Sequence, residues 1–184
     1  MTLLIGIVAE KEVVLMADSY TNSSGLRNTV APKVDSIGLF SIAHAGSTKD
    51  WYLYRSLVKE GDLLTDPVFH ISTMKKLREI AAEREGERTE VNLSLLLAIG
   101  MTLYYASDEG VIYQCDEMAS AGLSWSMVEL IYRETVVGER RSSDAVVDWG
   151  FSTMQRIQQV DRTIEVPPMC WMGTAERRLA RKDS

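Results

Sequence analysis

Strand-like apolar runs come in blocks along this sequence instead of alternating one by one with helical stretches, and that ordering restricts the fold more than any single motif. Leu3 to Val8 is apolar and rich in branched residues, Glu12 to Ala17 follows the polar break Glu10-Lys11, and Lys33 to Ile37 and Leu39 to Ala45 straddle Gly38. These runs read as two strand pairs separated by the polar, glycine-containing stretch Tyr20 to Pro32. Helical spacing then takes over. Ser47 or Thr48 offers an N-cap for Trp51, Tyr54, Leu57 and Val58, and Asp66-Pro67 opens a second helix striped by Ile71, Met74, Leu77, Ile80 and Ala81. Strands return at Val91 to Ile99, Leu103 to Ala106 and, after the turn Asp108-Glu109-Gly110, Val111 to Cys115. Two more helices are predicted over Ser126 to Val137 and Ser143 to Val160. A last strand is predicted over Thr163 to Trp171, where Pro167-Pro168 is acceptable at a sheet edge.

A doubly wound parallel sheet needs strands and helices in alternation, which this order does not supply. Blocks of strands flanked by helix pairs fit two antiparallel sheets stacked face to face with two helices on each outer surface. The expectation is an α+β fold, a four-layer αββα sandwich, as one domain over residues 1–184. With 46% hydrophobic and 25% charged residues the chain can fill and cover one core, which excludes disorder. The apolar runs stop short of the roughly 18 residues a membrane span needs, and no secretory signal opens the sequence, so a cytoplasmic protein is expected. The net charge of −6, from 20 basic and 26 acidic residues, argues against nucleic-acid binding. Basic residues cluster only in the tail, at Arg177, Arg178, Arg181 and Lys182, which reads as a solvated helix end, a frayed terminus or a partner-docking segment. Cys115 and Cys170 are too few for a disulfide framework and, with two histidines, do not make a zinc-type cluster, so they read as packing residues.

The chemistry concentrates at the start of the chain. Thr2 follows Met1 and opens the first strand. Removal of the methionine would leave a hydroxyl and a free α-amino group on one residue, and with a pKa of roughly 7.7–8 that amine can accept the hydroxyl proton near neutral pH. Met-Thr alone equally describes an ordinary strand start. Asp18 ends the second strand and Lys33 opens the third. If the first two strands pair as a hairpin, Asp18 falls beside Thr2, and a lysine between them would lower the cost of an alkoxide on Thr2. A structural ion pair at a sheet edge is the plainer description of the same two residues.

The succession Thr2-Leu3-Leu4-Ile5, Val13-Val14-Leu15-Met16-Ala17-Asp18, Lys33-Val34 and Ile42-Ala43-His44-Ala45-Gly46 resembles the proteasome β-subunit family, including the peptidase component of the bacterial two-component ATP-dependent protease. Leu95-Leu96-Leu97-Ala98, the turn Ser107-Asp108-Glu109-Gly110 and Met118-Ala119-Ser120-Ala121-Gly122 carry the resemblance through the second half. It implies an N-terminal-nucleophile hydrolase with the αββα fold, acting on a peptide or amide substrate through an acyl-enzyme, without metal or cofactor. Thr2 matches the nucleophile, Asp18 and Lys33 its carboxylate and lysine, and Gly46 a backbone N–H for the oxyanion. His44, Tyr20 and Ala31 match positions that line the first specificity pocket, and for His44 a histidine hydrogen-bonded within the sheet is the plainer reading. The resemblance further implies a homo-oligomeric ring and an ATPase or unfoldase partner.

The sequence also departs from that pattern. Where the family has Gly-Ser-Gly this chain has Gly122-Leu123-Ser124, so Leu123 stands at the serine position unless Ser124 serves. The late aspartate and serine fall near Gln155 and Gln158, with Asp161 close by. A catalytically silent assembly or binding protein, and a small-molecule amidohydrolase or transpeptidase, are the alternative readings. The first helix, with Trp51 and Tyr54, is a candidate subunit contact, though both aromatics can equally be core residues; His70 is expected at the surface, and Lys33→Ala is expected to abolish turnover with the fold intact.

Overall fold

The computed structural model describes residues 2–18, 21–23, 26–28, 33–58, 66–85, 90–136, 141–161, 169–174 and 179–182. Along the chain these form β1 (Leu3–Val8), β2 (Val13–Ala17), β3 (Thr21–Ser23), β4 (Leu26–Asn28), β5 (Val34–Ile37), β6 (Phe40–Gly46), α1 (Thr48–Leu57), α2 (Phe69–Glu85), β7 (Leu93–Ile99), β8 (Thr102–Ala106), β9 (Ile112–Cys115), β10 (Met118–Gly122), α3 (Trp125–Thr135), α4 (Ser143–Val160), β11 (Met169–Gly173) and β12 (Leu179–Lys182).

Period-two alternation along β1 and β2 decides the layering. Both strands are buried at every position because each has an apolar layer on either face. On one face Leu3, Ile5, Ile7, Val14 and Met16 pack on Val128 and Ile131 of α3 and Phe151, Met154 and Ile157 of α4. On the other, Leu4, Leu15 and Ala17 meet Ala43, Ala45, Leu96, Ala98 and Leu103 of a second sheet. That sheet's outer face, through Phe40, Ile42, Leu93, Leu95 and Leu97, is covered by Trp51 and Tyr54 of α1 and Met74 and Leu77 of α2. The sheets run β10-β1-β2-β11-β12 and β5-β6-β7-β8-β9, antiparallel throughout. The expected four-layer αββα sandwich is what these contacts build.

Ser47 caps α1, its hydroxyl accepting from the Asp50 amide at 3.3 Å, and Ser142 caps α4 through the Ala145 amide at 3.4 Å. Four strands were not expected. β3 and β4 form a small hairpin inside the stretch read as a polar connection. β10, a run of small residues with no β-branched member, is a strand because β1 pairs with it from Leu3↔Gly122 to Ile7↔Met118. β12 pairs with β11, so the basic tail is neither a helix end nor a frayed terminus at Leu179–Lys182. The last expected strand lies later than the sequence suggests, at Met169–Gly173, and residues 163–168 fall outside the described set. No helix among the described residues is long and apolar enough to cross a membrane.

Of the two readings of Trp51 and Tyr54, the core one is what the packing gives: they are 4% and 0% exposed, and Tyr52 is the aromatic that α1 shows to solvent. One side-chain expectation is corrected. His70 is not at the surface but fully buried. Its Nε2 lies 3.4 Å from the Ser107 carbonyl and its Nδ1 3.3 Å from the Tyr54 hydroxyl. A carbonyl can only accept, so the neutral ring carries its proton on Nε2 and Nδ1 accepts from Tyr54.

Burial lowers the pKa of His70 from 6.5 to about 4, with repulsion from Arg78 adding to it and the Ser107 carbonyl opposing it. The unfolded chain therefore takes up the proton first. The stability this ring contributes is complete above pH 6.5 and drains away as pH falls toward 4, by about 3 kcal/mol in all. Denaturant titrations between pH 7 and 4 are expected to show that loss, and His70→Gln to flatten it. Equal pH slopes in the two proteins would contradict the assignment.

Candidate active site

The β1/β2 hairpin brings the end of β2 back to the start of β1, with Leu4 opposite Ala17. Asp18 therefore lies beside Leu3: its amide donates to the Leu3 carbonyl at 3.2 Å and its Oδ1 accepts from the Leu3 amide at 2.9 Å. Lys33 precedes β5, where its carbonyl accepts from the His44 amide at 2.9 Å, and its Nζ reaches the same Asp18 Oδ1 at 3.0 Å. Both side chains are shut off from solvent, at 2% and 0% exposure. Asp18 Oδ2 has no hydrogen-bond partner among the described residues. Burial pushes the Asp18 carboxyl above its ordinary value, and the Lys33 ammonium and the Leu3 amide pull in the other direction.

Thr2 is held from the opposite side by β10 and the turn after it. Its carbonyl accepts from the Leu123 amide at 2.9 Å. Gly122 sits at φ +85°, and a Cβ placed there would come within 2.0 Å of the Thr2 carbonyl oxygen, so only glycine lets the strands approach this closely. Gly46 has φ +116°, and its missing Cβ would lie 2.2 Å from the Asn92 carbonyl oxygen. That same oxygen accepts from the Ser47 amide at 2.7 Å, while the Asn92 amide donates to Asp50 Oδ2 at 3.1 Å. Thr2, 9% exposed, opens into a cavity of about 360 Å³ shared with Ala45, Gly46, Ser47, Asn92, Ser94, Gly122 and Leu123.

Thr2, Asp18, Lys33 and Gly46 are thus neighbours in space: Thr2 and Gly46 line one cavity, and the buried pair sits behind the first residues of β1. His44 is not among the residues lining this cavity. It lies on the face of β6 that packs against the helices, 9% exposed, with its ring stacked on Trp51 at 4.1 Å between centroids. Tyr20 and Ala31, the other expected pocket positions, lie outside the described residues. Sequence reasoning missed Asn92 and Ser94. Both were absorbed into the apolar run Val91 to Ile99, and the signal that separates them is alternation: Leu93, Leu95 and Leu97 face the helices, which leaves Ser94 on the inner face.

Ser124 is the serine that follows Leu123 in the altered loop. It takes a left-handed conformation at φ 58° as N-cap of α3, but its hydroxyl makes no cap hydrogen bond. It donates instead to Asp161 Oδ2 at 2.8 Å, and Asp161 is the C-cap of α4. The serine is therefore next to Leu123, whose amide holds Thr2, and the carboxylate follows α4 where Gln155 and Gln158 lie inside it. Among the described residues no group of three or more His, Cys, Asp or Glu side chains is placed to hold a metal.

Chemically, a hydroxyl-bearing residue at a cavity wall, backed by a buried ammonium, can carry an alkoxide at lower cost than water would allow. No protein-family model and no curated protein matches this sequence. Solved structures do. Anbu (ancestral beta-subunit) from Yersinia bercovieri aligns with a TM-score of 0.74 at 14% identity over 97% of this chain and 86% of its own. The helical assembly of the Anbu complex from Pseudomonas aeruginosa gives 0.77 at 13% identity over 99% and 87%. Thiobacillus denitrificans BPH in complex with epoxomicin gives 0.70 at 10% identity over 94% and 97%. At these identities the likeness is one of architecture, and the chain has a proteasome-like fold.

Proposed function

We propose that this chain is a threonine-type N-terminal-nucleophile hydrolase that cleaves peptide bonds once it is processed to begin at Thr2. The observation that carries the reading is the cavity-lining Thr2 placed directly before a residue, Leu3, whose amide is tied to the buried Asp18–Lys33 pair. The Thr2 α-amine takes the Oγ proton, and Oγ attacks the scissile carbonyl carbon. Negative charge moves to the carbonyl oxygen, beside the Gly46 N–H, while Lys33 offsets the charge that develops on Oγ. Collapse breaks the C–N bond, the leaving amine takes the proton from the Thr2 ammonium, and an ester remains on Oγ. Water, deprotonated by the same amine, then releases the acid and restores the hydroxyl. Ser124 and Asp161 support this site from the turn that holds Thr2, which weighs against the silent-relative reading.

Assembly into a homo-oligomer follows from the same reading, since a free cytoplasmic peptidase with an open cleft would damage its surroundings. The Pseudomonas aeruginosa Anbu complex, which shares this fold, forms a helical assembly. A partner ATPase would be needed only if the substrates are folded proteins. Light scattering that found only monomers would remove the assembly.

The test is intact mass. Protein from its native cell is expected to start at Thr2 and to gain the mass of one epoxyketone, a warhead that reacts with both the hydroxyl and the free amine of an N-terminal threonine. Thr2→Ala is expected to gain nothing and to hydrolyse no fluorogenic peptide. A native chain that retains Met1 and never reacts would overturn the proposal.

A further inference from the structure

A second and larger cavity, about 520 Å³, adjoins the one at Thr2 and shares Ser94 and Gly122 with it. One wall is β10, which pairs with β1 and has no strand on its other edge among the described residues, so its outer main-chain N–H and C=O groups can meet an extended chain. The other walls are aromatic. Tyr105 and Tyr113 stack at 6.2 Å between centroids, and Trp125, half exposed, stands at the start of α3. Two carboxylates belong to the lining, Asp108 on the β8–β9 turn and Glu129 on α3, and among the described residues no basic side chain does. Arg78 holds the Asp108 turn through the main-chain carbonyl.

We infer that this cavity is a subsite for a cationic side chain, arginine or lysine, of a peptide whose scissile carbonyl lies at Thr2. The inference rests on the hydrolase reading for the peptide's purpose but not for its binding. A guanidinium is planar and weakly hydrated, stacks on tyrosine and tryptophan faces, and offers its N–H fork to carboxylates. The cavity supplies both kinds of partner and shares Ser94 and Gly122 with the cavity that Thr2 lines. An acidic side chain would meet Asp108 and Glu129 and be rejected, and a purely apolar one would leave both carboxylates desolvated without a partner. The chain's net charge of −6 adds to the attraction of cationic peptides.

The test compares an arginine-containing peptide amide with its citrulline counterpart, which has nearly the same shape and no charge. Calorimetry on the full chain is expected to show the arginine peptide binding about tenfold more tightly, with an advantage that shrinks at high salt. Asp108→Asn combined with Glu129→Gln should erase the preference while leaving citrulline binding unchanged, and the thermal midpoint of that variant checks that it folds. Hydrolysis of the same pair is measured in parallel. Preference in binding without hydrolysis upholds the subsite and removes the hydrolase. Hydrolysis with no preference for arginine, or a preference that survives the double variant, overturns the subsite and leaves the hydrolase standing. Neither binding nor hydrolysis overturns both.

Discussion

Lys33→Ala is expected to abolish peptide hydrolysis and, in addition, to destabilise the fold by about 3–5 kcal/mol, which corrects the expectation that the variant would stay intact. Lys33 is 1% exposed and its ammonium is a partner of a carboxylate that is itself fully buried. Removing it leaves Asp18 with the Leu3 amide on one oxygen and nothing from the described residues on the other. Burial already holds the Asp18 carboxyl above 3.8 with Lys33 in place. Without the cation it rises further, so the folded variant binds a proton more readily than its unfolded chain does. The gap between variant and wild type should therefore be widest at neutral pH and narrow as pH falls toward 4. Asp18→Asn/Lys33→Met, which removes both charges, should recover most of the stability and none of the activity. Denaturant midpoints and a fluorogenic peptide assay check all three. Wild-type turnover in Lys33→Ala would take Lys33 out of the mechanism, and unchanged stability would show that the pair is not as dry as its burial implies.

Gly122→Ala carries the second large effect. Its Cβ would enter the space held by the Thr2 carbonyl oxygen, and at φ +85° the backbone is strained for any L side chain. Relief requires β10 and Thr2 to separate, which shifts the nucleophile relative to Gly46 and breaks the Leu123–Thr2 hydrogen bond. A displacement of the order of 1 Å at a reacting group costs about 100-fold in rate, and strain of this kind costs about 1–3 kcal/mol. Gly100→Ala is the control: it has positive φ, +55°, with nothing within 4 Å of the added carbon, so about 1 kcal/mol and no change in rate are expected. Equal rates in wild type and Gly122→Ala would show that the tie between β10 and Thr2 does not position the nucleophile.

Much of the site was legible because it depends on neighbours in sequence. The hairpin of β1 and β2 follows from two apolar runs and a short polar break, and it alone places Asp18 next to Leu3. Lys33 was legible as the start of a strand, and only its contact in the fold shows that its side chain turns inward to Asp18 Oδ1. The Ser124–Asp161 bond joins residues 37 apart and was read only as two departures from a pattern, since no local periodicity links a turn to the end of a later helix. His44 matched a substrate-pocket position by resemblance, with a structural role within the sheet as the plainer reading, and it stacks on Trp51 because its parity on β6 matches Phe40 and Ile42, which face the helices.

By itself the sequence determined the four layers. Residues alternating along β1, β2, β6 and β7 carry apolar side chains on both faces, and a strand with two apolar faces has to be covered twice. What only the tertiary structure decided were the features that depend on distant partners. β10 is a strand because β1 is its neighbour, β12 because β11 is, and His70 is neutral because packing takes its ring out of water, against the pull of the Ser107 carbonyl. Local patterns encode which side chains avoid water. They do not encode which remote backbone or polar group meets them once water is gone.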